Sequence, residues 1–455
     1  MKDKNDASGD MKREREKEKK PGKFREWIAL GDTERVIPWD RLDNTANLFP
    51  AIAGESMTNV YRISVTLKEE IDPALLQEAL DIVLPKIGSF NVRLRKGMFW
   101  YYFEENGKPA PKVEKEITFP CRYIRQNRNR SYLFRVSYYE KRINLEVFHV
   151  LTDGMGGINF IRELTYQYLR LTHPELRTEG DSLTKDTSLN VEDSFVRNYK
   201  KSMPRGFERK KAYLIKGEKL PEGEFGLMHV YFPRKEMKAA ATNYGVSVNT
   251  YLTACFSYAI YTASMKMRAY DKPIRIAIPV NLRPYYNSNT TRNFFIMVSA
   301  EYLSDGEVHE FPEVVSAIDQ SLKSQIGKEH LEDLFSYSVS NQENLWLRLF
   351  PLPVKSFAMR IVYNQSALAN TATMTNIGEI PVDETYKPFI ERFHANIAMS
   401  KGQYLKGTIC AYEGAYVFTF STILADTSIE RAFLSRLRKD GVPVSVETNG
   451  VFERK

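Results

Sequence analysis

Residues 146–157, EVFHVLTDGMGG, carry the residue types in this sequence that are best suited to proton transfer. His149 ends an apolar run, Asp153 follows four residues later, and three glycines begin at Gly154. A neutral imidazole, with an ordinary pKa of about 6.5, can accept a proton at physiological pH, which few other side chains can do. The segment therefore predicts a general base. The alternative is a core histidine whose ring is satisfied by a backbone carbonyl group.

The flanking residues predict a strand before the histidine and a helix after the glycines. INLEVFHVL and the preceding SYLFRVSYY are apolar runs joined by a polar turn, so we expect a β-hairpin. INFIRELTYQYLRL places Ile158, Ile161, Thr165 and Tyr168 on one helical face. A strand end holds a histidine rigidly, and the glycines let a ligand or another segment approach the backbone closely. Asp153 can orient the ring or fix the turn by pairing with an arginine.

The remaining metal- and nucleophile-type residues do not form a recognisable second site. Cys121, Cys255 and Cys410 are far apart and form no CxxC pair, so neither a zinc site nor a disulfide framework is expected. A catalytic zinc ion typically takes three protein ligands, and no second histidine lies at a ligand-like spacing. The other histidines are interpreted as surface or packing residues: His173, His229, His309, His330 and His394.

Composition limits the class of partner. The formal charge of +8 is largely intermixed with acidic residues and comes with no nucleic-acid-binding motif, so we expect no nucleic-acid partner. The excess positive charge is interpreted first as a solvated surface without a partner, and otherwise as a bias toward anionic small molecules. The tail lacks the sustained basic patch that attracts anionic lipids, so we expect at most peripheral contact with a membrane. No run approaches the roughly 20 apolar residues of a transmembrane helix. The N-terminus lacks the apolar core of a secretion signal, which predicts a cytoplasmic protein.

The length of 455 residues and the order of the elements predict two lobes. We expect a flexible charged tail at residues 1–23, an N-terminal lobe at 24–210, an inter-lobe linker at 211–226 and a C-terminal lobe at 227–455. VYRISVTL alternates as a half-buried strand does, and DPALLQEALDIVLPKI has Asp72 and Pro73 where a helix starts. Strand–helix alternation recurs in the second half, which predicts an α/β protein.

The His-x-x-x-Asp-Gly pattern, placed between a strand and a helix, resembles the active-site motif of the chloramphenicol acetyltransferase and condensation-domain superfamily, which includes the plant BAHD acyltransferases. IPVNLRPYYNSNTTRNFF and YGVSVNTYLTACFSYAI are similar to segments of wax-ester synthases and condensation domains, and WDRLDNTANLFP and FWYYFEEN to bacterial alcohol acetyltransferases. The resemblance covers about residues 35–450. It implies two chloramphenicol-acetyltransferase-like lobes, each a mixed sheet with helices, with the active-site tunnel between them.

Three features depart from the family pattern. Phe148 stands where condensation domains carry the first of two histidines, which argues against peptide synthesis and not against catalysis. Arg292 stands where a glycine precedes Asn-Phe in the relatives. The Asp-Phe-Gly-Trp-Gly element of BAHD enzymes has no clear match.

The resemblance implies a CoA-dependent acyltransferase that moves an acyl group, expected to be acetyl, from a thioester to an alcohol hydroxyl. His149 takes the proton of the acceptor and later returns one to the departing thiolate, and no acyl-enzyme forms. Acyl-CoA is a co-substrate, and no bound cofactor or metal is implied. Together with His149, Asp153 and Gly154 form the catalytic segment. Asp153 is mostly structural in this family and pairs with an arginine.

Further residues follow from the same resemblance. Arg283 of the NLRP segment is the first candidate partner of the motif carboxylate, and Arg41 is the second. Asn281 and Asn293 are candidates for oxyanion or substrate contact. An amine acceptor and a carrier-protein thioester are alternative substrates. A catalytically silent relative that binds a partner in the inter-lobe groove is an alternative of another class. The acceptor, the acyl chain length and the oligomeric state stay open.

Overall fold

The computed structural model describes residues 39–43, 45–177, 182–199, 211–343 and 349–453. The chain from Trp39 onward forms one compact unit, and the predicted tail at residues 1–23 lies outside the described residues. Within the described residues, no helix has the length and apolarity that crossing a membrane requires.

Strands and helices are interspersed along the described part of the chain. The strands are β1 (Trp39–Arg41), β2 (Val60–Leu67), β3 (Val92–Lys96), β4 (Tyr101–Glu105), β5 (Glu114–Lys115), β6 (Phe134–Tyr139), β7 (Arg142–Phe148), β8 (Gly226–Pro233), β9 (Ile274–Asn281), β10 (Phe295–Tyr302), β11 (Ala372–Glu379), β12 (Ile390–Ile397), β13 (Leu405–Tyr412), β14 (Ala415–Thr422) and β15 (Ser445–Thr448). The helices are α1 (Phe49–Ile52), α2 (Pro73–Val83), α3 (Gly154–Thr172), α4 (Ser194–Asn198), α5 (Arg234–Asn243), α6 (Val248–Ala259), α7 (Arg283–Tyr286), α8 (Phe311–Lys323), α9 (Lys328–Glu343), α10 (Leu352–Ser366) and α11 (Ser428–Lys439).

Two mixed sheets with helices form the two lobes, as the fold class predicted. The first sheet has the order β12-β2-β7-β6-β5, and the second has the order β10-β9-β11-β13-β14-β8-β15. A small antiparallel sheet, β1-β4-β3, lies apart from both. Each large sheet has its own apolar core, one built with α2 and α3 and the other with α6, α8 and α11.

The first sheet takes one strand from the second half of the chain. β12 pairs antiparallel with β2, with Ala395 opposite Ile63, so the two lobes share a sheet. The lobe boundaries predicted along the chain stay a prediction. β12 belongs to the first sheet although it lies in the second half of the chain, and residues 200–210 lie outside the described residues.

Local sequence signals that depend on neighbouring residues are confirmed. Asp72 caps α2, accepting hydrogen bonds from the backbone N–H groups of Ala74 (2.8 Å) and Leu75 (3.2 Å). β6 and β7 form the predicted antiparallel hairpin. This hairpin and α3 fix the two ends of the motif segment.

The predicted half-burial of β2 is wrong, because its polar face is covered as well. Arg62 and Ser64 are buried, and the guanidinium group of Arg62 pairs with Glu146 at 2.9 Å and with Glu116. This polar face lies between the two sheets. The single apolar face predicted for α3 is also too narrow, since the helix is buried on all sides from Gly156 to Arg170.

Two histidines lie against each other between the sheets as packing residues. His229 on β8 and His394 on β12 have ring centroids 4.3 Å apart, and His229 Nδ1 bonds Thr419 Oγ1 at 2.8 Å. Burial, together with nearby arginine charges, lowers the pKa of His229 to about 3, and burial lowers the pKa of His394 well below its usual value. Both rings are therefore neutral in the folded protein at mildly acidic pH.

We expect His229→Gln to weaken the loss of stability in mild acid. The unfolded chain binds a proton at His229 below a pKa of about 6.5 and the folded chain does not, so this group's stabilisation is present above that pH and falls as the pH falls. Lowering the pH from about 7 to about 5 should therefore reduce the free energy of unfolding by about 2 kcal/mol through this histidine. Urea unfolding of wild type and variant at both pH values measures the difference.

The variant must be compared with wild type because other buried groups raise the stability of the folded state as the pH falls. Burial raises the pKa values of Asp43 and Glu430 to about 7, so these carboxyl groups gain protons in the folded state over the same pH range. An equal pH dependence in wild type and in His229→Gln would contradict a neutral buried His229.

Candidate active site

The end of β7 holds His149 against aromatic side chains. Its backbone N–H donates to the carbonyl oxygen of Asn59 at 2.9 Å, which fixes the residue directly after the strand. Its ring stacks on Phe49 with centroids 4.8 Å apart, and meets Tyr61 edge-on at 5.2 Å. Phe295 at the start of β10 lies at 5.6 Å, so side chains from both lobes surround the imidazole.

Asn293 determines which ring nitrogen of His149 carries the proton. Its Oδ1 lies 3.0 Å from His149 Nδ1, while its Nδ2 faces two oxygens, Asp43 Oδ2 at 3.0 Å and the His149 carbonyl at 3.3 Å. Only Nδ2 can donate to those oxygens, so Oδ1 must accept from the protonated Nδ1. Nε2 then carries the lone pair, and it makes no hydrogen bond within the described part of the chain.

Burial is the main electrostatic influence on this histidine. It lowers the pKa of His149, the Asp153 carboxylate opposes that effect in part, and the Lys406 ammonium adds to it. Lys406 is itself buried and donates to the Ala398 carbonyl (2.8 Å) and to Ser400 Oγ (2.6 Å), and burial lowers its pKa to about 7. The imidazole is therefore neutral at physiological pH and ready to accept a proton.

Asp153 joins the start of α3 to the second lobe. One carboxylate oxygen caps the helix, accepting from the Met155 backbone N–H at 3.1 Å, and the other accepts from the Phe294 backbone N–H at 3.1 Å. Arg283 binds both oxygens, with Nη2 3.0 Å from Oδ1 and Nη1 2.9 Å from Oδ2. The carboxylate thus connects the motif to the residue next to Asn293.

The glycines after Asp153 allow α3 to approach its neighbours. A Cβ on Gly156 would lie 2.7 Å from the Thr291 carbonyl oxygen, and a Cβ on Gly157 would lie 2.7 Å from the Tyr61 hydroxyl. That hydroxyl donates to the Asp153 carbonyl at 2.7 Å. A larger residue at either position would push the helix away from the contacts that place the motif.

The other candidate residues lie near the motif with different contacts. Arg41 is exposed and its guanidinium lies over the Trp100 ring, 5.7 Å from the centroid, so its contacts are away from Asp153. Asn281 is exposed, and its Oδ1 accepts from the Arg283 backbone N–H at 3.1 Å. Gly154 begins α3 near Ile377. The structure therefore brings Arg283 and Asn293 to the motif, with Asn281 beside Arg283.

Arg292, the departure from the family pattern, contacts the first strand. Its guanidinium pairs with Asp40 and donates to the Arg41 carbonyl at 2.9 Å, while its own carbonyl accepts from Arg283 Nη2 at 2.6 Å. This side chain therefore binds β1 to the segment that carries Asn293.

Sequence reasoning missed Asp43, Phe49 and Lys406. Asp43 and Phe49 lie in WDRLDNTANLFP, a segment singled out for resemblance alone, and nothing in the sequence places it beside His149. Lys406 is one of 65 basic residues, and no spacing distinguishes it from the others. Burial, which only the tertiary structure reveals, sets it apart.

If the imidazole is the general base that the motif predicts, Asn293→Ala should lower kcat by roughly 10- to 100-fold, because the ring loses the acceptor that holds its tautomer and angle. KM should change less, since Asn293 is buried behind the ring. Steady-state kinetics of Asn293→Ala and Asn281→Ala compares the two asparagines. A large loss of kcat in Asn281→Ala with no loss in Asn293→Ala would show that Asn281, and not Asn293, positions the imidazole.

Comparison with known proteins finds similarity in structure and none in sequence families. No family model matches the chain, and no curated protein does. TRI101 of F. sporotrichioides, solved with coenzyme A and T-2, is 12% identical with a TM-score of 0.62, covering 89% of this chain and 99% of that chain. Polyketide synthase associated protein 5 from Mycobacterium tuberculosis is 14% identical with a TM-score of 0.56, covering 88% and 97%.

A third solved structure, the first condensation domain of the CDA synthetase, is 13% identical with a TM-score of 0.55 and covers 89% of this chain and 96% of that chain. Identities this low establish the architecture and leave the chemistry to the residues of the site. The chain therefore has the two-lobed α/β fold seen in TRI101 and in the condensation domain of the CDA synthetase.

Proposed function

We propose that this protein is an acyltransferase that moves an acyl group, preferentially acetyl, from a CoA thioester to an alcohol hydroxyl. The observation that carries the proposal is the His149 ring, whose Nδ1–H is held by Asn293 and whose Nε2 is left as the acceptor. Packing alone does not require a fixed tautomer, whereas a general base requires the free Nε2 that the contact with Asn293 provides.

The chemistry follows from that lone pair. Nε2 accepts the hydroxyl proton as the acceptor oxygen attacks the thioester carbonyl carbon, forming the new C–O bond. The tetrahedral intermediate then breaks its C–S bond, and the imidazolium returns the proton to the departing thiolate. The products are the ester and the CoA thiol, and no acyl-enzyme is required. General base catalysis of this kind contributes about 10²- to 10⁴-fold.

A cavity of about 230 Å³ lies at the end of β7 and supports the choice of donor. Phe148 and Pro50, the chain neighbours of His149 and Phe49, line it together with the cationic Arg95 and Lys96. Cations that line a cavity at the end of β7 suit a donor that carries phosphate groups, as coenzyme A does. TRI101, which has this fold, was solved with coenzyme A.

Release of free thiol from acetyl-CoA tests the proposal. Purified protein is given acetyl-CoA and a panel of short, branched and long-chain alcohols and amines, and thiol is followed colorimetrically. We expect release that depends on an alcohol, and His173→Ala, which changes a half-buried histidine at the end of α3, should match wild type. Release that depends on amines alone would select the N-acyltransferase. No acceptor-dependent release from CoA donors or carrier-linked thioesters would favour the silent groove-binding protein.

A further inference from the structure

The helix α10 exposes an apolar face. Val354, Phe357, Ile361 and Val362 are 53%, 68%, 44% and 63% exposed, and their spacing places them on one side of the helix. The opposite side, which includes the buried Leu352, packs on the protein. A helix of this kind normally has its apolar stripe turned to the core.

The loop before β4 and the residues before α10 extend this face. Met98 and Trp100 are 72% and 40% exposed, and Leu349 and Phe350 are 60% and 51% exposed. The Leu352 backbone N–H donates to the Met98 carbonyl at 2.8 Å, which holds the loop against the helix. We call the combined set the apolar surface: Met98, Trp100, Leu349, Phe350, Val354, Phe357, Ile361 and Val362. A group of exposed apolar side chains of this kind marks a binding surface.

Cations border the apolar surface. Residues 349–378 contain the cations Lys355 and Arg360 and no acidic residue. Arg41 lies over Trp100, and the exposed Lys96 precedes Met98. Apolar and aromatic side chains bordered by cations are the combination by which peripheral proteins bind anionic lipid surfaces.

We propose that the apolar surface docks on an anionic membrane, with its aromatic and aliphatic side chains at the level of the lipid headgroups. A second copy of this chain fits the surface less well, because a two-fold interface would bring the same cations face to face. The partner is thus a phospholipid bilayer that carries negative charge.

The apolar surface adjoins the candidate active site through α1. α10 packs on α1, and the Arg360 guanidinium donates to the Ala51 carbonyl at 3.2 and 3.0 Å. α1 begins with Phe49, the residue that stacks on His149. Docking therefore brings the base close to the lipid surface, and we infer that the acceptor is a hydroxyl compound that partitions into membranes. This last step rests on the proposed function, whereas the docking itself does not.

Vesicle flotation tests the docking. Wild type is mixed with vesicles of phosphatidylcholine alone and of phosphatidylcholine with phosphatidylglycerol. We expect binding to the anionic vesicles that weakens with added salt. The double variant Phe357→Glu with Val362→Glu should bind at least tenfold more weakly, because two apolar side chains are lost from the interface. Ile117→Glu, which changes a side chain that is 84% exposed elsewhere, is the matched control and should bind as wild type does.

Three outcomes would overturn the docking: no binding of wild type to anionic vesicles, equal binding of the double variant, or a wild-type dimer in light scattering that the double variant dissolves. Unchanged circular dichroism and unchanged thiol release with a short soluble alcohol would show that the variant is intact. Vesicle binding without any thiol release would leave the docking standing and reject the proposed acyltransferase.

Discussion

His149→Ala is expected to lower kcat by about 10²- to 10⁴-fold with little change in the KM for acyl-CoA. The variant removes Nε2, whose lone pair takes the acceptor proton in the proposed mechanism, and it leaves Asn293 and Asp153 unchanged. Alignment of two bound substrates still accelerates the reaction, so some activity remains. Acceptor-dependent thiol release by wild type and variant, measured over a range of both substrates, separates kcat from KM.

A second substitution distinguishes lost chemistry from lost packing. The ring of His149 stacks on Phe49, so alanine also removes an aromatic contact. His149→Gln fills part of the same space and can donate to Asn293, yet it offers no base. We expect the two variants to be equally inactive and to differ in thermal stability. Activity of His149→Gln within a few-fold of wild type would reject His149 as the base.

The pH profile of the wild type should carry the signature of the buried ring. Burial lowers the pKa of His149, so its neutral form, which is the base in the proposed mechanism, persists to lower pH than for an exposed histidine. The acid limb of kcat/KM should therefore lie below about pH 6.5. Neutralising Lys406 by Lys406→Met should move that limb upward, because the ammonium disfavours a second positive charge on the imidazole. An acid limb above that value would mean that another group controls the rate.

The sequence predicts well whatever depends on adjacent residues. The hairpin before the motif, the cap at Asp72 and the helix after Asp153 follow from turn chemistry and period, which are local properties. The class of fold follows from strand–helix alternation. Burial of both faces of β2 does not, because its second face is covered by strands that occur more than 150 residues later.

The residues of the candidate site also divide into those that a local pattern predicts and those that only the tertiary structure brings together. The motif is a local pattern, so His149 and Asp153 are visible in the sequence. The function of Asn293 arises where three distant segments meet, around Asp43, His149 and Asn293 itself. No sequence pattern predicts that these three segments contact one another, and an asparagine at the end of a strand can equally well serve in a turn. Resemblance named Arg283 as a partner, and resemblance alone could not choose between it and Arg41.

Asp153→Ala should destabilise the fold by about 3 to 5 kcal/mol and lower kcat as well. The substitution leaves the buried guanidinium of Arg283 without its carboxylate, and it frees the Phe294 backbone N–H. Arg283 also donates to the carbonyl oxygens of Thr290 (2.8 Å) and Arg292 (2.6 Å), so the segment before Asn293 loses its anchor. Urea unfolding gives the stability, and kinetics on the folded protein give kcat.

The expected loss of activity in Asp153→Ala does not require Asp153 to touch a substrate. The carboxylate acts through Asn293, so kcat should fall as it does in Asn293→Ala, and the double variant should be scarcely worse than either single variant. Arg125→Met, which breaks an exposed pair with Glu55, is the control and should cost at most about 1 kcal/mol. If Asp153→Ala lost stability and kept full kcat, the ion pair would support the fold alone. His149 would then depend for its orientation on Asn293 and Asp43, without help from the helix that follows it.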